Sequence, residues 1–166
     1  MSSRRQLMWL SVVLASAVLP VVALAVMARL APRPRNLGRH ANGELAPLPE
    51  TPNAVSSFSR ENESHVRPFE FAGDPVAAWD RLREVVRTHP GLQIISEQPG
   101  YLHVEATSQL FRFVDDVEFL LDEATGRIDL RSASRVGRSD LGVNRSRCEA
   151  LRERFQQATS RISTER

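Results

Sequence analysis

From Leu7 to Ala28 the chain carries no charged residue, and Leu, Val, Ala and Met dominate the run. No other feature limits its folding so sharply. A charge-free apolar stretch longer than roughly 18 residues has the pattern of a membrane-spanning helix. Pro20 inside it is tolerable, because in a membrane helix it introduces at most a kink. Arg4 and Arg5 ahead of the run, with Ala23-Leu24-Ala25 inside it, also fit a cleavable export signal. The length of the run, and Arg29, Arg33, Arg35 and Arg39 crowding its far side, favour an uncleaved anchor. By the positive-inside rule those four arginines, taken alone, would hold the rest of the chain in the cytoplasm.

The remainder divides by its prolines. Pro32, Pro34, Pro47, Pro49, Pro52 and Pro68 interrupt any sustained period, so residues 32–68 read as a linker between the 1–31 anchor and a folded domain over 69–166. Asp74-Pro75 is a helix start, a capping carboxylate followed by proline at the first helical position. Val76, Trp79, Leu82, Val85 and Val86 then recur as one apolar stripe, and His89-Pro90-Gly91 ends the helix. Strands follow at 92–97, 101–108, 111–121 and 127–135. Gln98-Pro99-Gly100 and Glu123-Ala124-Thr125-Gly126 form the turns within two hairpins. A last helix runs from about Asn144 to Ser160. Short strands joined by tight turns favour an antiparallel sheet, and two amphipathic helices would cover its apolar face. The expected domain is therefore α+β, with about four strands and two helices on one side.

Charge excludes one class of partner. All 22 basic residues are arginine, against 20 acidic ones; setting aside Arg4, Arg5 and Arg29 leaves the domain close to neutral, so no bulk attraction to nucleic acid follows. Cys148, the single cysteine, sits at helical spacing with Leu151, Phe155, Ala158 and Ile162 and reads as a buried structural thiol.

Period-2 alternation sorts the strand residues into faces. Leu102, Val104 and Ala106 would join Phe113, Val117 and Phe119 beneath the helices. The other face would present Tyr101, His103, Glu105 and Thr107 beside Arg112, Asp116, Glu118, Asp129, Arg131 and Arg135. Asp115 falls on the apolar parity, where a bulge would be needed to turn it outward. On that polar face Asp116 and Glu118 should oppose Arg131 and Arg135. A solvated cross-strand charge lattice is the simplest reading. A metal or acid/base site built on His103, Glu105, Asp116 and Glu118 is the sharper one. A second candidate is the loop carrying Arg138, Ser139, Asp140, Asn144 and Arg145, whose amides and arginines before a helix could hold an anion. The plainer alternative is a turn that caps the last helix through Asp140 and Asn144. No phosphate-binding loop, nucleophile elbow or His-Glu-x-x-His pattern is present.

The stretch Tyr101–Glu105, the block Phe111–Phe119 and the block Arg131–Arg145 together resemble the family catalogued as domain of unknown function fourteen-ninety-nine, over roughly residues 46–157. The resemblance implies a bacterial or plastid relative, frequently carrying an export or membrane segment, with no established activity. Relatives often read Cys-Pro-x-x-Pro-Asn-Cys where this chain has Leu48-Pro49-Glu50-Thr51-Pro52-Asn53-Ala54. Paired loss of both cysteines is what a disulfide would show, and disulfides imply an oxidising compartment. Arg138 stands where relatives carry an aromatic residue. The combined expectation is an envelope protein of the bacterial inner membrane, anchored through residues 7–28, with its domain on the periplasmic side. It would act as a non-catalytic binding or accessory module for an envelope protein or a small anionic or apolar ligand, with no cofactor and no bound metal. The alternatives are a metal-assisted hydrolase centred on His103, and a lipid-binding domain with an apolar pocket between helices and sheet.

Overall fold

The computed structural model describes residues 3–109 and 112–164. In chain order it contains α1 (Ser3–Leu30), β1 (Ala54–Ser56), β2 (Phe69–Glu70), α2 (Pro75–Arg87), β3 (Leu92–Gln98), β4 (Tyr101–Thr107), β5 (Val114–Asp122), β6 (Arg127–Ser134) and α3 (Val143–Thr164). The six strands form one antiparallel sheet in the order β1-β6-β5-β4-β3, with β2 also on β6. The α+β class stands, and the strand count rises from about four to six.

Of the two extra strands, β1 comes from sequence that its prolines mark as linker, and β2 is formed by the first two residues of the expected domain. Ala54–Ser56 pairs with Arg131–Ala133, and Phe69–Glu70 with Arg127–Ile128, so β1 and β2 occupy the free edge of β6 in tandem. Residues 32–68 are thus largely built into the domain: Leu45, Ala46, Asn53, Ala54, Val55 and Val66 are all buried. Strands this short carry no readable alternation. Their pairing is decided by the open edge they cover, which would otherwise be left with unpaired backbone groups.

The helices form where their local chemistry dictates. Asp74 caps α2 by accepting from the amides of Val76 and Ala77, and Pro75 opens the helix. Ala78, Trp79, Leu82, Val85 and Val86 are its buried stripe. From α3, Cys148, Leu151 and Phe155 join the same core, which also takes Leu102, Val104, Val117, Phe119, Ile128 and Leu130 from the sheet. Phe69 sits centrally, with ring centroids 5.8 Å from Phe119 and 5.5 Å from Phe155. Both helices therefore lie on one face, as the alternation predicts.

The fifth strand begins later than its apolar pattern suggests. Ser108 Oγ and the Phe113 amide close a tight loop, Arg112 takes φ 58°, and pairing starts at Val114. Phe111 lies outside the described residues. The expected membrane run falls within α1. Among the described residues no helix is long and apolar enough to cross a membrane. The side chains of Leu7, Ala17, Leu24, Ala25, Met27 and Ala28 in α1 lie outside that description.

Candidate functional site

Cross-strand register assembles the charged cluster. His103 lies opposite Glu118, Glu105 opposite Asp116, and Glu118 opposite Arg131. Arg131 Nη1 donates to Glu118 Oε2 at 3.1 Å, and Arg135 grips Asp116 through Nε and Nη2 at 2.8 and 2.6 Å. The expected opposition of Asp116 and Glu118 to Arg131 and Arg135 is therefore present pair by pair. Arg135 Nη2 also reaches Glu105 Oε1 at 2.5 Å, and His103 Nε2 lies 2.8 Å from Asp116 Oδ1.

The surroundings of the cluster differ from expectation. A solvated lattice is the simplest reading of so many charges, yet His103, Asp116, Glu118 and Arg131 are all buried, Glu118 completely. The cover is the chain after α1. Arg33 Nη2 bonds Glu105 at 2.7 Å, the Gly38 amide donates to Glu118 Oε1 at 2.8 Å, and Leu45 packs with Tyr101 and Leu120. Tyr101 Oη completes the shell of Glu118 at 2.9 Å. An ion pair taken out of water is retained only when its remaining lone pairs and protons find partners. Here Glu118 receives an amide, a phenol and a guanidinium.

These contacts set the proton affinities. Burial pushes Asp116 up, but the hydrogen bonds from Arg135 and His103 outweigh it and hold the carboxyl below its ordinary range. Glu105 behaves likewise: burial raises it, and Arg135 and Arg33 bring it below the usual value. The bond to Asp116 raises Arg135, against the opposing effect of burial. Burial, reinforced by the Glu118 charge, raises Tyr101 well above a free phenol. Asp116 and Glu105 are thus held as anions that already have cationic partners. They are poorly placed to take up protons or to donate to a metal. Among the described residues no group of three or more His, Cys, Asp and Glu could hold a metal ion.

The other candidate residues separate. Asp115 stays on the helix side without a bulge and pairs with Arg147 at 2.6 Å, beneath the start of α3. The bulge was unnecessary because α3 supplies the counter-charge on that face. Arg112 is exposed in the loop before β5, outside the cluster. In the loop after β6, Arg138 and Ser139 are exposed. Asp140 receives the amides of Gly142 and Asn144, so it caps α3. Asn144 is fully buried and ties α3 to the sheet through Asn53 O, Ser134 Oγ and Ser132 Oγ. Arg145 reaches the carbonyls of Asn62 and Glu63. The loop thus divides into a capping half and an exposed half.

Sequence reasoning missed Arg33 and Gly38 as members of the cluster, because a proline-rich stretch offers no period to place them. Open cavities lie among the described residues beside the 40–64 segment and beside the β5–β6 turn. One of about 690 Å³ is lined by residues of the 40–64 segment, including His40, Glu44, Leu48, Phe58 and Glu61. The other, about 620 Å³, lies near Arg39, Phe58, Gly100, Asp122 and Arg127. Neither is lined by His103 or Asp116.

A family model described as "protein of unknown function (DUF1499)" matches residues 44–155. Comparison with curated proteins and with solved structures finds no match.

Proposed function

The chain belongs to the DUF1499 family, and we propose that it is a non-catalytic binding or accessory module held at a membrane by α1. One observation carries the first half of this reading. Glu105, Asp116 and Glu118 are each already bonded to an arginine of the same chain, and their face is covered by residues 33–45. A general acid or base needs reach to a substrate proton, and a metal needs uncommitted donors. At His103 the ring is buried and Nε2 is already engaged by Asp116. The cluster works instead as the cement between the sheet and its cover.

The second half rests on α1. Met8, Trp9, Leu10, Leu14, Leu19 and Leu30 are each more than half exposed, and the run Leu7–Ala28 has no charge to solvate it. A helix that is apolar all round belongs in a core or a bilayer, and these side chains have no core around them. With one end in the inner membrane, the domain would sit on the periplasmic side, as the family resemblance implies. The exposed half of the loop after β6 is then the accessible contact surface.

Alkaline extraction of membranes from cells expressing the full chain tests the anchor: the chain stays with the bilayer, and removing residues 1–30 releases it. Release of the full chain would overturn the anchor. Elemental analysis of the purified full chain tests the rest. Stoichiometric Zn, Mn or Fe that disappears on His103→Ala would overturn the non-catalytic reading in favour of a metal-assisted hydrolase.

A further inference from the structure

Among the described residues, two that are not glycine have φ in the left-handed region: Arg112 at 58° and Leu141 at 52°. Leucine has no side-chain hydrogen bond to ease that conformation, so it is disfavoured there. Asp140, bonded to the amides of Gly142 and Asn144, holds the backbone in place. The result is a leucine 93 % exposed, with Val143 beside it at 48 %. Among the described residues outside α1, the other large apolar side chain so exposed is Val76, at the start of α2 near the far end of the sheet.

The position of this loop follows from the register. β4 ends at Thr107, β5 begins at Val114 and β6 ends at Ser134, all at one end of the sheet. The loops carrying Arg112 and Leu141 leave from that end. The cover segment starts there too and runs down the polar face: Arg33 meets Glu105, Gly38 meets Glu118, and Leu45 reaches Tyr101 at the opposite end. Leu30, the last residue of α1, precedes Arg33 by at most about 11 Å of chain. The end of α1 and the two loops therefore share one end of the domain.

We propose that this end rests on the bilayer that holds α1, with Leu141 and Val143 entering the headgroup–acyl boundary and Arg112 and Arg138 pairing with phosphates of anionic lipids. Both arginines are exposed, and guanidinium is suited to paired hydrogen bonds with phosphate. An apolar tip flanked by cations matches an anionic lipid surface in both polarity and charge. The inference rests on the anchored reading of α1 and adds a second, peripheral contact that fixes how the domain is oriented.

The test uses the full chain with a nitroxide on Leu141→Cys, Glu123→Cys or Val13→Cys, in vesicles of equal parts phosphatidylcholine and phosphatidylglycerol. Cys148 is buried, which leaves the new thiol as the labelling target. Glu123 is exposed in the β5–β6 turn at the far end, and Val13 reports α1. The ratio of collisions with oxygen to collisions with a nickel chelate should be several-fold higher at 141 than at 123, and this excess should shrink in phosphatidylcholine alone. Equal ratios at 141 and 123, with Val13 reading as membrane, overturn the proposal and leave the anchor standing. An aqueous Val13 overturns both. A label at 141 shielded from both reagents puts a protein partner there and overturns lipid contact. An excess equal in both lipids overturns the arginine–phosphate pairing.

Discussion

At the residue scale the most consequential pairing is Asp116 with Arg135. Asp116 is 1 % exposed, and removing its charge leaves the partly buried Arg135 guanidinium with Glu105 as its remaining carboxylate partner. Breaking a buried pair from one side typically costs about 3–5 kcal/mol. Asp116→Asn should lower the unfolding free energy of the full chain by about 3 kcal/mol in urea titration. A loss under ~1 kcal/mol would mean that the pair is effectively solvated. The same groups set the acid limb. Asp116 and Glu105 have folded-state pKa values below their ordinary ones, so the stability they contribute is complete above the unfolded value, about 4. It is lost as pH falls below that value and through the folded one. Thermal midpoints should drop steeply under about pH 4, and Asp116→Asn should flatten that slope. Cys148 gives a different readout. Burial pushes its thiol up to about 12, so a thiol reagent at neutral pH should label it only at the rate of unfolding. Prompt labelling of the native chain would contradict that burial.

At the scale of elements, the turns and helix starts were legible because each depends on a few local residues. Asp74-Pro75 opens α2 through a carboxylate and a ring whose effects do not need the rest of the fold. The β5–β6 turn ends on Gly126 at φ 67°, where an added Cβ would lie 2.9 Å from the Phe71 carbonyl oxygen. Gly126→Ala should destabilise by at least about 1–2 kcal/mol from backbone strain alone. It should also loosen β2, because the Phe71 amide bonds the Gly126 carbonyl. Hydrogen exchange at Phe71 checks this, and unchanged protection would sink it. β1 and β2 were not legible. Two or three residues have no period, and only the exposed edge of β6 gives them a place.

For the whole molecule, the proline-rich stretch is the chief revision. A chain begun at Phe69 lacks β1, Leu45, Val55 and Val66, and leaves Glu118 without the Gly38 amide. It should lose cooperative unfolding, whereas a chain begun at Ala31 should keep it. Equal, sharp thermal transitions in the two would restore the linker reading.

Alternation along β4, β5 and β6 determined by itself which residues share a face, and so that Asp116 and Glu118 share one with Arg131 and Arg135. The register of the β5–β6 hairpin then sets Glu118 opposite Arg131, while Arg135 reaches Asp116 from just beyond the end of β6. Whether that face is wet or dry depends on residues about seventy to eighty positions away, Arg33 against Glu105 and Gly38 against Glu118. Such contacts leave no periodic trace in either segment. Burial is a property of two surfaces meeting, so only the tertiary structure could turn a solvated charge lattice into a sealed one.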